Sequence, residues 1–321
     1  MSDFNFYTEG QSVIERWGQS IQGKTVAITG TSERGLGAAT AIALSKFQPS
    51  HLLLLARNLP RVQSVLDSVK EISPQTQATF IPIELSDFDF VRKAATQILG
   101  LVDKIDILIN NAGVMAIPSA KNNNGIERTL AINHLGHFLF TKMLMPAILD
   151  AGPGARIVNL SSGAYKMAPF DFGDWNFSDG KTYDPMAAYA QSKTANILFT
   201  VGLAKRAEKY GVQAFAVHPG FILGTSLVTH LPDIDFASMD ALSRKKTGFP
   251  FEKPSPKSLE QGISTTLVAV LSPDLANQSG AYLQDCQVCE TREYAHDGNL
   301  ADQLWELSEE LVGGEFQIGA T

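Results

Sequence analysis

Cysteine is scarce: Cys286 and Cys289 are the only two in 321 residues. A disulfide scaffold is excluded, and their C-x-x-C has no second pair to complete a zinc site. A redox C-x-x-C belongs at a helix N-terminus, whereas this one follows the strand-like Ala281-Tyr282-Leu283. Buried structural thiols are the plainer reading. No apolar run reaches the roughly 20 residues that cross a bilayer, so no membrane span is expected. There is no basic cluster, and the net charge of -7 is spread along the chain. A nucleic-acid or anionic-membrane partner is therefore not expected. The first residues lack the basic, apolar and small-residue order of a secretory signal, which makes a cytoplasmic location the expectation. His134 and His137 stand three apart with no acidic or third histidine ligand beside them. Packing or solvent exposure is expected there, and no metal.

What is present is ordinary globular material, 44% hydrophobic and 18% charged. The length allows one large α/β domain. Residues 1–23 read as an N-terminal extension, with Val13, Ile14, Trp17 and Ile21 at helical spacing. A short amphipathic helix is expected, packing on the domain or, less simply, binding a partner. From residue 24 to 321 strands and helices alternate. Strands are expected near 25–29, 51–56, 78–83, 105–109, 156–160, 212–217 and 281–283. Helical patterns lie between most of them, the signature of βαβ units and a parallel sheet. Residues 221–256 show little periodicity and mix Gly, Pro, Ser and Leu, as a substrate lid would.

Several strand ends carry chemistry. Gly30, Gly35 and Gly37 lie between an apolar strand and an Ala-rich helix, where a turn can cradle phosphate at a helix N-terminus. After the second strand an NAD site would carry an acid for the ribose hydroxyl; Ala56 and Arg57 stand there instead. Arg57, with Arg34 in the glycine turn, suits a 2′-phosphate and hence NADP(H). Solvated surface charge is the alternative for both. Asn111, Ala112 and Gly113 follow the fourth strand, and Ser161 and Ser162 follow the fifth, facing a ligand crevice or capping a turn. Asn133 is a polar residue between Ile132 and Leu135. The stretch 186–199 reads as a helix on which Tyr189 and Lys193, four apart, share one face. An ammonium beside a phenol favours the phenolate, so a lowered Tyr189 pKa is expected.

Taken together, T-G-x4-G-L-G from Thr29, N-N-A-G from Asn110, Asn133, Ser162, Y-A-Q-S-K from Tyr189 and H-P-G from His218 resemble the short-chain dehydrogenase/reductase family. The match runs over residues 24–312. I-N-H-L-G-H-F-L-F-T and Y-x-x-S-K-T-A-N-I-L-F are similar to its retinol-dehydrogenase-like and fungal oxidoreductase branch. The resemblance implies a single Rossmann-type doubly wound parallel sheet of about seven strands, in the order 3-2-1-4-5-6-7, with helices on both faces. It implies an NADP(H)-dependent oxidoreductase acting on a lipophilic carbonyl or alcohol. Tyr189 would be the acid/base, Ser162 would polarise the substrate oxygen, Lys193 would tune Tyr189, and Asn133 would position a water. The cofactor would run past Gly30, Ser32, Arg34, Gly35, Leu36 and Gly37 to Arg57, Asn58, Glu84 and Leu85. It would then pass Asn111, Ala112 and Gly113 and end by Tyr189, Lys193, Pro219, Gly220, Ile222 and Thr225. Pairing of two copies through the helices of Asn133 and Tyr189 is a further expectation. The glycine turn is one residue longer than is usual in the family, Glu84 replaces the usual Asp, and Thr225 comes one place late. Phe170, Phe172, Trp175 and Phe221 would line an apolar pocket or belong to the core. A redox-silent dinucleotide sensor or scaffold, and an isomerase or cyclase with bound cofactor, are the alternatives on the same fold.

Overall fold

The computed structural model describes residues 3–229 and 234–319. Short runs of β-branched residues and leucine are buried on both faces, the condition of a parallel sheet covered by helices. The strands of the central sheet are β1 (Thr25–Thr29), β2 (His51–Ala56), β3 (Gln77–Pro82), β4 (Ile107–Asn110), β5 (Arg156–Leu160), β6 (Gln213–His218), β7 (Tyr282–Gln284) and β8 (Gln287–Cys289). They pair in the order β8-β7-β6-β5-β4-β1-β2-β3. Neighbours are parallel except β8, which is antiparallel to β7. The expected order is thus present with one more strand at its edge. The β7–β8 hairpin carries both cysteines, and both are free thiols. The equally short β7 was expected from the sequence, and β8 was not.

The helices that pack on the sheet or wall its crevice are α1 (Gly10–Trp17), α2 (Leu36–Ser45), α3 (Gln63–Ile72), α4 (Phe88–Leu99), α5 (Gly136–Asp150), α6 (Pro185–Ala207), α7 (Phe236–Thr247), α8 (Leu259–Leu271) and α9 (Gly298–Val312). Along β2, Leu52 and Leu54 enter one core with residues of α1, α2, α3 and α8. Leu53 and Leu55 enter the other, with α4, α5, α6 and α9. The period-two alternation of strand side chains builds both layers from one leucine run. Val13 and Ile14 of α1 are fully buried in the first layer.

Helix starts are fixed by side-chain caps. Asp184 accepts from the amide of Ala187 at 2.7 Å, and Pro185 opens α6. Ser258 and Gln261 form a reciprocal capping box at α8. Within 221–256, where no helix was expected, α7 is capped by Asp235 and stopped by Gly248 at φ +78°. It buries only Met239 and Ser243, so it has almost no apolar stripe to read. The caps D-F-A-S and the closing glycine were the available signal. Residues 230–233 of that segment lie outside the described residues.

Two features bear on the site. Ala131–Leu135 forms a π-helical turn between Arg128–Leu130 and α5, which sets Asn133 inside a bulge. On the outer face of α5 and α6, Trp305 of α9 stacks on Phe316 with ring centroids 4.8 Å apart and packs edge-on against Phe138 at 5.1 Å. The chain itself therefore fills the face through which two copies were expected to pair. Among the described residues no helix is long and apolar enough to cross a membrane.

Candidate active site

The carboxyl ends of β1, β2, β4, β5 and β6 open into one crevice of about 880 Å³. Lys193 and Tyr189 reach it from α6, and each is 4% exposed. The Lys193 ammonium donates to the Leu160 carbonyl at 3.0 Å and lies 5.7 Å from the centroid of the Tyr189 ring. Burial pushes the Tyr189 phenol up to about 12, with a hydrogen bond from Ser162 acting the other way. Burial pulls Lys193 down to about 8. The expected lowering of Tyr189 is not seen: burial dominates its shift, and the Lys193 ammonium donates to the Leu160 carbonyl.

Both candidate serines line the crevice, and they differ in what their hydroxyls meet. Ser161 is buried and its hydroxyl donates to the Lys193 carbonyl at 2.8 Å. Ser162 lines the crevice, meets Tyr189, and accepts from the Ala164 amide at 3.2 Å. Asn133 is fully buried and does not line the crevice. Its side-chain oxygen accepts from the Val114 amide at 2.8 Å while its amide donates to the Val114 carbonyl and to Ser192 Oγ, each at 2.9 Å. It clamps the loop after β4 to α6. Its own carbonyl faces His137 Nδ1 at 3.1 Å.

His137 is the residue that reading the sequence missed. Thr29 Oγ1 accepts the amides of Asn111 and Ala112 at 2.9 and 3.0 Å and sits 2.9 Å from His137 Nε2. With both amides donating to it, the hydroxyl gives its own proton to Nε2, leaving the Nδ1 hydrogen for Asn133. The end of β1, the N-N-A-G loop and the π-helical turn are thereby joined. Spacing alone marked His137 as a packing residue or a metal ligand; the Thr at the end of β1 was the missing partner. Among the described residues no cluster could hold a metal.

Of the residues assigned to a cofactor, Gly30, Ser32, Gly35, Leu36, Arg57, Glu84, Leu85, Asn111, Ala112, Gly113, Pro219, Gly220, Ile222 and Thr225 line the crevice with Tyr189 and Lys193. Gly37 and Asn58 do not. Arg34, in the left-handed region at φ 61°, lines a separate cavity of about 310 Å³ beside α2 and α8. Arg61, not Arg34, is the arginine that joins Arg57 on the crevice wall after β2. Glu84 accepts from Ser86 Oγ at 2.8 Å. Phe170 is in the core, with Phe172 and Trp175 packed on it; Phe221 alone of the four aromatics lines the crevice. Burial raises both thiols, so neither is a ready thiolate.

Burial holds three histidines neutral: His134 at about 3, and His137 and His218 at about 4. Their folded values lie below the unfolded value of about 6.5, so the unfolded chain binds more protons as pH falls. Stability is complete above about pH 6.5 and is lost toward pH 4, by roughly 1 kcal/mol per histidine per pH unit. Urea midpoints should therefore drop between pH 7 and pH 5; an unchanged midpoint would mean that these rings protonate in place.

The family model for short chain dehydrogenases matches residues 24–233. Retinol dehydrogenase 12 of Mus musculus is 35% identical over 297 residues, 92% of this chain and 89% of that protein. Oxidoreductase fscI of Fusarium equiseti is 36% identical over 243 residues, 68% of this chain and 94% of that protein. A crystal structure of an uncharacterized protein from Mycobacterium paratuberculosis shares the fold with a TM-score of 0.71 at 28% identity, over 92% of this chain and 96% of that one. With a Gly-rich turn after β1 and Ser162, Tyr189 and Lys193 around one crevice, the chain belongs to the short-chain dehydrogenase family, in its retinol-dehydrogenase-like branch.

Proposed function

We propose that the chain is an NADP(H)-dependent oxidoreductase (EC 1.1.1.-) that interconverts a carbonyl with a primary or secondary alcohol on a lipophilic small molecule in the cytoplasm. The observation that carries this reading is the Ser162–Tyr189 contact beside Lys193, in the crevice that also holds the glycine turn and Arg57. The crevice fits a dinucleotide. The glycines on its wall leave no room for a side chain: a Cβ on Gly113 would come 3.2 Å from Asn133 Oδ1 and 3.5 Å from Lys193 Nζ, and a Cβ on Gly30, at φ +74°, would come 2.8 Å from Ala112 Cα.

A nicotinamide dinucleotide bound there supplies the hydride, or accepts it in reverse. Ser162 Oγ hydrogen-bonds the substrate oxygen and polarises the carbonyl. Tyr189 Oη gives that oxygen its proton, or takes it from an alcohol. The Lys193 charge steadies the phenolate as it forms. Arg57 and Arg61 would hold a 2′-phosphate. The wall formed by 221–229 and 234–256 serves as the lid over the substrate end and keeps water from the reacting carbon.

Fluorescence titration with NADPH and NADH tests the cofactor. Wild type should prefer NADPH, and Arg57→Ala or Arg61→Ala should weaken NADPH by about tenfold or more while sparing NADH. Equal affinities in wild type would overturn the phosphate reading and point to NAD. A sensor or a cofactor-retaining isomerase would bind the dinucleotide without net oxidation of NADPH by any carbonyl compound.

A further inference from the structure

The crevice carries cations at both ends, and a 2′-phosphate would occupy only one of them. Arg57 and Arg61 follow β2, whereas Lys166 and Arg292 line the crevice after β5 and β8, across the midline of the sheet. Among the described residues neither the Lys166 ammonium nor the Arg292 guanidinium has a carboxylate or hydrogen-bond partner. The guanidinium carbon of Arg292 instead lies 3.9 Å from the centroid of the Phe249 ring, which fixes its plane.

Both cations are held on one wall. Tyr294 Oη donates to the Tyr165 carbonyl at 2.8 Å, and the Tyr165 phenol meets the Arg292 backbone. Residues 165–166 are thus knotted to 292–294. The other charges at this end do not neutralise them. Glu252 and Lys253 are adjacent, exposed and of opposite sign, and Asp285 is ion-paired with Lys257 at 2.6 Å. The surrounding wall is apolar, with Met115, Ile117, Leu227, Met239 and Phe251. Half-buried cations without counterions, facing an apolar cavity, favour an anion carried on an apolar body.

We propose, resting on the oxidoreductase reading above, that the substrate is amphipathic. A carboxylate at one end binds Arg292 and Lys166, and an apolar stem lays the reacting carbon at Tyr189. Equilibrium binding of decanoate and of decanol, measured by calorimetry with saturating NADPH, with which neither compound can react, tests it on wild type, Arg292→Gln and Lys166→Gln. Decanoate should bind wild type about tenfold or more tighter than decanol, and this ratio should fall in both variants. A decanol affinity equal to or above that of decanoate, or a ratio that survives both substitutions, overturns the proposal. Turnover of ω-oxodecanoate and decanal with NADPH separates the two readings. A retained decanoate preference with neither aldehyde reduced leaves the subsite standing and removes the oxidoreductase reading. Reduction of decanal with no decanoate preference does the reverse.

Discussion

Replacing Tyr189 with Phe is expected to lower kcat by about 10²–10⁴-fold while leaving dinucleotide affinity nearly unchanged. The substitution removes one oxygen from a ring that is otherwise packed against Met167, Ala190 and Met239. It therefore deletes the proton carrier without opening the core. The pH dependence carries more information than the loss itself. With Tyr189 at about 12, the phenol holds its proton throughout the neutral range, which is the form needed to protonate an incoming alkoxide. Lys193, at about 8, is charged below that pH and neutral above it. Carbonyl reduction should then be level below pH 8 and fall as pH rises past it, because the charge that supports the departing proton is lost. Steady-state rates between pH 6 and pH 10 check this. A reduction rate that climbs through pH 8 would place the essential proton elsewhere, and full activity in Tyr189→Phe would remove Tyr189 from the chemistry altogether.

Trp305→Ala is expected to cost about 3–5 kcal/mol of stability, the range for a buried Trp emptied to a cavity. Its ring is 3% exposed, stacks on Phe316, meets Phe138 edge-on and carries the Arg206 guanidinium 4.3 Å above its centre. Its indole also donates to Glu309 at 3.1 Å. One substitution thus withdraws support from α5, α6 and the chain after α9 together. Wild type should sediment as a monomer at micromolar concentration, because the outer face of α5 and α6 is already covered. The variant should unfold at lower denaturant and self-associate through the face it exposes. A stable wild-type dimer whose affinity is unaffected by Trp305→Ala would mean that a different surface pairs.

How much was legible depended on whether a residue's role was local. The parallel sheet followed from the leucine run of β2 and the glycine turn after β1, because burial on both faces leaves a continuous apolar run. The Tyr189–Lys193 pair was legible because a helix places i and i+4 together whatever surrounds them. What failed was long-range or energetic. Arg61 lies far from the glycine turn in sequence, yet it lines the crevice beside Arg57 while Arg34 lines a separate cavity beside α2. The role of His137 depends on Thr29, over a hundred residues away. The sign of the Tyr189 shift depends on how dry α6 is against the sheet, which no spacing encodes. The packing of α9 over α5 and α6 needed Trp305, Phe316 and Phe138 in one place, and aromatics so far apart in sequence carry no mark of it.

The π-helical turn at Ala131–Leu135 makes chain length here part of the chemistry. It holds one residue more than a regular α-helix needs over the same span, so losing one residue would still leave an unbroken helix. That shorter helix would turn every residue before the deletion by about 100° relative to α5, since each residue contributes that angle. Where the loss falls between them, Asn133 could no longer face Val114 while His137 faces Thr29. Substitutions along residues 128–136 can drift within their size and polarity, but the count of residues cannot. A length change that is harmless to the helix would dismantle the loop beneath the cofactor crevice, whereas a replacement of like size and polarity would leave it standing.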